Sequence, residues 1–273
     1  MRYNHVILID KPPGHTSHEI TTFVKKITRA SRAGHAGTLD PQVSGVLPIA
    51  LGRATKLLQY IAGKDKTYVG IIKFREPQKK ERILELFSEF TGEIVQTPPK
   101  KSAVRRRPRK RTVHSLKLLE ISQENPRLAL FEARVDAGTY IRSLCRDIGK
   151  KCGGARMEEL RRTAVGNIRE ERCHSVYDVI DAMHFMKEGN ASELGKLLEA
   201  PETFISLPKV FIKKSALESV LSGAAIMPPG IEKIEDAEEG ARLAIYCAEE
   251  FIGVGVRKGR KVALERVHYQ KTG

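Results

Sequence analysis

Tryptophan is absent from this 273-residue sequence, aromatic residues make up only 6% of it, and there are four cysteines. The missing tryptophan excludes nothing by itself. The cysteines say more: Cys145, Cys152, Cys173 and Cys247 form no C-x-x-C pair and no zinc-ribbon spacing. They read as free thiols of an intracellular protein, not as a disulfide framework. No apolar run approaches the ~18–20 residues of a membrane span, and the N-terminus carries no signal-peptide pattern, so a cytoplasmic protein is expected. No G-x-x-x-x-G-K-[ST] occurs, which sets a nucleotide-binding P-loop aside, and there is no G-x-S-x-G nucleophile elbow. His15 and His18 are the one close histidine pair, with no Cys or third His beside them; no metal site is expected. No internal repeat is found.

Positive charge, by contrast, is plentiful. The formal net charge is +15 and the pI is near 9.7. Residues 1–206 carry 37 Lys and Arg against 24 Asp and Glu, whereas residues 207–273 carry 11 against 9. Lys100 to Arg111 holds eight basic residues and no acid. Such a run reads either as a solvated loop or as a contact for a polyanion, with nucleic acid the leading candidate. Hydrophobic residues at 41% are enough for real cores.

Along the chain, Val6–Ile9 reads as a short strand. A helix should follow, because Thr16 and Glu19 make a capping-box pattern and Ile20, Phe23, Val24 and Ile27 share a face. A short helix is predicted over Thr55–Ile61, a strand over Tyr68–Phe74, and a helix through Ile83, Leu84, Leu86, Phe87 and Phe90. Strands are predicted over Val113–Ile121 and Leu128–Val135, then a helix with Ile141, Leu144, Cys145 and Ile148 on one face. Short helices are expected at Met157–Arg162, Val176–Met183 and Glu193–Glu199. The last third changes character. Leu207–Ile212, Leu243–Cys247, Phe251–Val256 and Val262–Val267 read as strands, with a helical interruption at Ser215–Leu221. That pattern suggests a compact barrel-like unit of residues 207–273 after a larger domain of residues 1–206.

The stretch of most chemical interest is Ala33 to Ala50. Gly34 and Gly37 allow backbone conformations closed to other residues, and Asp40-Pro41 restrains the chain around one carboxylate. Val43, Val46, Leu47 and Ile49 supply apolar anchorage. A rigid loop with one acid suits catalysis, and it equally suits an ordinary turn. Three further places carry chemistry-bearing side chains. Lys66-Thr-Tyr68 leads into a strand. Gly138-Thr-Tyr-Ile-Arg142 sets an arginine in an apolar helical face, where it needs a carboxylate partner. Glu159-Leu-Arg-Arg-Thr163 reads on its own as a basic helix end.

Taken together, several motifs resemble the TruB/dyskerin family of pseudouridine synthases. They are Asp10-Lys-Pro-Pro-Gly-His-Thr-Ser17, Gly34-His-Ala-Gly-Thr-Leu-Asp-Pro41 with Ser44-Gly-Val-Leu-Pro48, Lys66-Thr-Tyr68, Gly138-Thr-Tyr-Ile-Arg142 and Leu160-Arg-Arg-Thr163. Ser17-His-Glu-Ile20, Pro98-Pro-Lys-Lys-Ser-Ala-Val-Arg-Arg106 and the segment from Leu207 resemble the archaeal, RNA-guided branch. Two features depart from it. The first strand begins five residues into the sequence, where archaeal members commonly carry an N-terminal extension, and Arg75-Glu-Pro-Gln-Lys-Lys80 replaces an acidic stretch.

The resemblance implies an α+β fold: a mixed-sheet pseudouridine synthase catalytic domain with flanking helices, followed by a small β-barrel PUA domain that binds RNA. It implies isomerisation of uridine to pseudouridine with no cofactor. Asp40 would be the essential carboxylate, acting as nucleophile or as base on the ribose; Arg142 would pair with it, and Tyr68 would stack on a flipped base. Leu160 would close the pocket, Lys11 and Tyr140 would support the loop, and His35 would fill space vacated in the RNA. Lys100, Lys101, Arg105, Arg106, Arg107 and Arg109 would lie in a thumb loop that closes on RNA.

The implied setting is a box H/ACA ribonucleoprotein, with guide RNA and substrate rRNA or tRNA. Its protein partners would be a small zinc-ribbon protein, a small β-barrel protein and a kink-turn-binding protein. A stand-alone tRNA enzyme and a non-enzymatic RNA-binding scaffold are the alternatives.

Overall fold

The structure, a computed structural model, describes residues 3–98 and 105–269. Lys100 and Lys101 of the basic run therefore lie outside the described residues. The chain opens with β1 (Val6–Lys11), α1 (Ser17–Thr28), β2 (Ala33–His35) and β3 (Ser44–Leu51). A 3-10 turn and α2 (Leu58–Ala62) lead to β4 (Lys66–Phe74), α3 (Lys80–Glu89), β5 (Gly92–Gln96), β6 (Arg109–Ile121) and β7 (Leu128–Val135). Then come α4 (Ile141–Lys150), β8 (Ala155–Val165), β9 (Ile168–Arg169), α5 (Val176–Lys187) and α6 (Ser192–Leu197). The main sheet runs β1-β3-β8-β4-β7-β6-β5, with β2 added to β3 and β9 to β8. It is mixed, because β3 meets β8 in parallel while the other ladders are antiparallel.

The two halves of this sheet are covered differently, and the strand sequences say why. β1 is a continuous apolar run, as a strand buried on both faces must be. Ile7 and Ile9 pack with Ile20 and Val24 of α1 and Val179 and Met183 of α5, while Val6 and Leu8 pack with Val46, Ile61 and Phe204. β4 instead alternates: Lys66, Tyr68, Gly70, Ile72 and Phe74 are buried, and the residues between them are half-buried. Its buried face meets Ile83, Leu86 and Phe87 of α3 and Ile141, Leu144 and Ile148 of α4. Each such side chain contributes ~1.5–3 kcal/mol when fully buried. The cap of α1 is the predicted one: Glu19 N–H donates to Thr16 Oγ1 at 3.1 Å, and Thr16 N–H donates to Glu19 Oε2 at 2.7 Å. Phe23, expected on the buried face, is instead partly exposed at the edge of the packing.

Three expectations need correction. Met157–Arg162 is not helical; it lies in β8, and Leu160-Arg-Arg-Thr163 is strand rather than a helix end. Glu, Leu, Met and Arg favour helix, but nine backbone partners along β4 override that preference. The alternation that marks a strand is hidden because one of the buried positions is the cation Arg162. Ser44–Leu51, foreseen only as apolar anchorage, is a strand, and β5 was not foreseen either. Arg142 does not sit inside the apolar face of α4; Ile141, Leu144, Cys145 and Ile148 are buried and Arg142 points off that face.

The remaining chain forms β10 (Lys209–Ile212), α7 (Leu217–Leu221), β11 (Ile231–Ile234), β12 (Arg242–Cys247), β13 (Glu250–Lys258) and β14 (Lys261–Val267). Its five-stranded sheet runs β11-β10-β12-β13-β14. Val210, Ile212, Val220, Leu243, Ile245, Ile252 and Val262 give it a core of its own. Leu57, Ala244, Phe251 and Val254 are buried together where it rests on the turn before α2. Among the described residues, no helix is long and apolar enough to cross a membrane.

Candidate active site

The loop from β2 to β3 is tied down from three directions. Ser17, the first residue of α1, accepts from Leu39 N–H at 2.7 Å and donates to Leu39 carbonyl at 3.1 Å. Buried Lys11 donates to the carbonyls of Pro12 (2.7 Å), His15 (2.6 Å) and Pro41 (3.1 Å). Burial lowers its pKa, with Glu19 opposing. From the other side, Arg162 donates to Gly37 carbonyl at 3.0 Å and to Val46 carbonyl at 2.8 Å. These bonds bracket Asp40 while leaving its carboxylate free to face outward.

Two glycines make the close approach feasible. Gly37 has φ +96° and sits against the Arg162 guanidinium. Gly45, at φ +103°, pairs with Arg162 in the short parallel contact between β3 and β8; a Cβ there would lie 2.2 Å from Arg162 carbonyl oxygen. Any side chain at Gly45 would force the two strands apart.

Asp40 faces α4. Arg142 Nη2 lies 2.7 Å from Asp40 Oδ2, and both side chains are about half exposed, 55% and 46%. The pair therefore stands at the mouth of a cavity and is open to solvent. That cavity, about 410 Å³, is lined by the loop from Gly37 to Asp40, by Lys66 and Tyr68 of β4, by Gly138 to Arg142, and by Met157, Leu160 and Arg162. A volume of this size is within the usual range for a small-molecule or nucleotide site. Tyr68 and Leu160 form part of its wall, each largely buried. Tyr140 is held at the start of α4 by Gln96 of β5, which accepts from Tyr140 N–H at 2.9 Å and donates to Tyr140 carbonyl at 3.2 Å. Thr139 Oγ1 lines the same wall, buried and without a hydrogen-bond partner among the described residues.

Of the residues singled out from sequence, Asp40, Tyr68, Tyr140, Arg142 and Leu160 thus meet in one cavity. Lys11 lies beneath the loop. His35 does not line the cavity; its ring bridges Thr21 Oγ1 (3.1 Å) and Thr38 Oγ1 (3.2 Å), and burial followed by nearby Arg162 lowers its pKa. Arg105, Arg106, Arg107 and Arg109 are exposed ahead of and at the start of β6. Gln96 was not anticipated. Ser17, Lys66, Thr139 and Arg162 were visible as members of motifs but had no role attached.

Comparison with known proteins identifies the family. Residues 25–141 match the TruB family pseudouridylate synthase (N terminal domain), and residues 142–206 match the tRNA pseudouridylate synthase B C-terminal domain. The chain belongs to the TruB family. A probable tRNA pseudouridine synthase B of Pyrobaculum arsenaticum is 44% identical over 260 residues, 93% of this chain and 77% of the relative. The relative of the same description from Pyrococcus furiosus is 45% identical over 256 residues, covering 92% and 74%. Among solved structures, a chain of a Cbf5-Nop10-Gar1 complex superposes with a TM-score of 0.88 at 40% identity, over 97% of this chain and 85% of that one. A chain of an H/ACA RNP bound to a substrate RNA containing 2'-deoxyuridine gives 0.88 at 38% identity, over 98% and 86%. This TruB-family chain is an RNA pseudouridine synthase.

Proposed function

We propose that the chain is the catalytic subunit of a box H/ACA ribonucleoprotein and that the cavity at Asp40 is its active site. The observation that carries the site is the 2.7 Å Asp40–Arg142 pair at the mouth of a cavity walled by Tyr68 and Leu160. In pseudouridine formation the N1–C1′ bond of uridine breaks, the uracil turns, and C5 joins C1′. The carboxylate acts on the ribose, as nucleophile at C1′ or as base at C2′. Arg142 holds that carboxylate in direction by a charge-assisted contact. The contact strengthens when bound RNA displaces water from the half-exposed pair. The uridine has to leave its stack to reach the cavity, and Tyr68 offers the face on which the base rests.

RNA is held from outside the cavity. Arg105, Arg106, Arg107 and Arg109, with Lys100 and Lys101, act on phosphates as a thumb; their attraction is sensitive to salt and tolerant of sequence. The choice of uridine then falls to base pairing with a guide RNA, which residues 207–273 help anchor as a PUA-type unit. The fold that these two structural neighbours share with nearly the whole chain is less informative here than their names: one chain sits with Nop10 and Gar1 and the other with substrate RNA. Small protein partners of that kind, among them a zinc-ribbon protein and a kink-turn-binding protein, complete the particle. A second reading has support of its own: the curated relatives are described as tRNA pseudouridine synthase B, which fits a stand-alone tRNA enzyme.

Assay of the purified chain separates the two. It should convert a target uridine in rRNA only when guide RNA and partner proteins are supplied. Full activity on bare tRNA, with none on guided rRNA, would reverse the order of the two readings.

A further inference from the structure

Two cations line the cavity and have no part in the reading above. Lys66 is 5% exposed and Arg162 is 1% exposed. They project from neighbouring strands, with Tyr68 paired opposite Arg162 in the ladder, so all three side chains share the helix-covered face. Lys66 Nζ donates to Ala62 carbonyl at 2.6 Å and to Lys64 carbonyl. Arg162 donates to the carbonyls of Gly37 and Val46, and Tyr68 is its partner across the ladder. None of these partners is a carboxylate. Asp65, the acid that acts on Lys66 through space, is itself paired with Arg134, and Asp40 is paired with Arg142.

Buried cations without a counter-charge are costly, and the cost is visible here. Burial, then the neighbouring Arg162, pushes Lys66 down to about 8. Burial likewise lowers Arg162, with Tyr68 opposing. Holding backbone carbonyls does not require that cost, since a neutral amide would do it. A standing positive charge facing a cavity is explained if the cavity holds an anion during turnover.

The reaction supplies one. When N1–C1′ breaks, the bonding electron pair stays on uracil. C1′ is taken by a carboxylate oxygen, or the C2′ proton passes to the carboxylate as a C1′=C2′ double bond forms. Either way the detached uracil is an anion, its charge shared by N1, O2 and O4. It is discharged when C5 bonds to C1′, releasing the carboxylate or returning the proton to C2′. The C5 proton is then lost and N1 gains one, so the net change is an isomerisation. We propose that Lys66 and Arg162 form a cationic floor that stabilises the detached uracil anion. The proposal rests on the reading of the Asp40 cavity as the active site. It holds for either role of Asp40.

The test is single-turnover conversion of a guided RNA by the assembled particle, with RNA affinity measured in parallel. Lys66→Gln keeps a donor for the two carbonyls while removing the charge; Lys66→Arg keeps the charge. Lys66→Gln should slow conversion on the order of 10²-fold, the effect of losing one preorganised charge-stabilising group, at unchanged RNA affinity. Lys66→Arg should recover most of that rate. The charged groups facing Lys66 are Arg162, Asp65 and Lys64, with Asp40, Arg142 and Tyr68 across the cavity. Lysine is charged below its pKa, so the wild-type rate should fall as pH rises through about 8 and the Lys66→Arg rate should not. Equal rates for Lys66→Gln and wild type, equal losses in both variants, or matching pH profiles would overturn the proposal. If Lys66→Gln does not fold, the profiles of wild type and Lys66→Arg decide. Asp40→Asn keeps the two levels apart: a fully active Asp40→Asn removes the site reading itself, whereas an inactive Asp40→Asn beside a fully active Lys66→Gln removes only the floor.

Discussion

Arg161 and Arg162 are consecutive residues of one strand, yet they occupy opposite electrostatic worlds. On the open face of the sheet, Arg161 binds both carboxylate oxygens of Asp10 at 3.0 Å and Glu170 at 2.6 Å. The hydrogen bonds it donates to Asp10 first, and to Glu170, hold its pKa above the ordinary arginine value. Lys73 and Arg156 on the same strands share Glu158. On the covered face, Arg162 and Lys66 donate to backbone carbonyls. The open face balances its cations and is half-solvated; the covered face leaves them unbalanced and dry. Charge balance is thus kept for the strand cations on the open face and withheld for the two on the covered face. Neighbouring positions in a strand can differ this sharply because successive side chains point to opposite faces.

The largest expected effect lies at the cavity beside the covered face. Asp40→Asn should lower the single-turnover rate by at least ~10³-fold, with RNA binding retained, since the variant keeps shape and loses the carboxylate to which the proposed mechanism gives the reaction. Quench assays beside filter binding measure both quantities.

Next is a stability effect at Lys66. Its folded pKa is about 8 against 10.5 for the unfolded group. Below pH 8 the cost of burying the charge is fully present, and it is lifted as pH rises between those values, because the unfolded chain there binds a proton that the folded chain does not. Stability relative to Lys66→Gln should therefore rise by about 3 kcal/mol across that window. Denaturant melts at several pH values test it, and a flat difference would mean that the lysine is not desolvated.

A smaller effect belongs to the basic segment. Arg106→Ala with Arg107→Ala should reduce the slope of log affinity against log salt by roughly 1–2, leaving the fold intact. An unchanged slope would mark these arginines as a solvated surface. The smallest effect is predicted for the best-paired cation. Arg161 is 38% exposed, so Arg161→Ala should cost no more than about 1 kcal/mol and leave the conversion rate unchanged. A rate loss at Arg161 comparable to that of Lys66→Gln would erase the contrast between the two faces.

How much of this was legible beforehand can be judged residue by residue. The cap at Thr16 and Glu19, the apolar faces of α3 and α4, and the strand stretches of β7 and β12–β14 are local patterns, and they reappear in the fold. β8 was misread because its residues favour helix and because a buried arginine interrupts the alternation. Asp40 stood out through its glycines and proline, and Tyr68 and Arg142 through their motifs. Gln96 carries no local mark, and Ser17 and Thr139 stood inside motifs with no role of their own. Each matters through a bond or a wall position set by a distant segment, as when Gln96 of β5 grips the backbone of Tyr140.

The order of residues by itself determined the stiff turn around Asp40, the helix caps, the strongly basic run and the change of character near residue 207. All of these follow from backbone preferences and periodicities within a few residues. Tertiary structure alone decided that Arg142 meets Asp40, and that Lys66 and Arg162 are stripped of water and turned toward the same cavity. Whether a cation is solvated, paired or left uncompensated depends on which strands become neighbours, and long-range pairing leaves no trace in the charge of the residue itself.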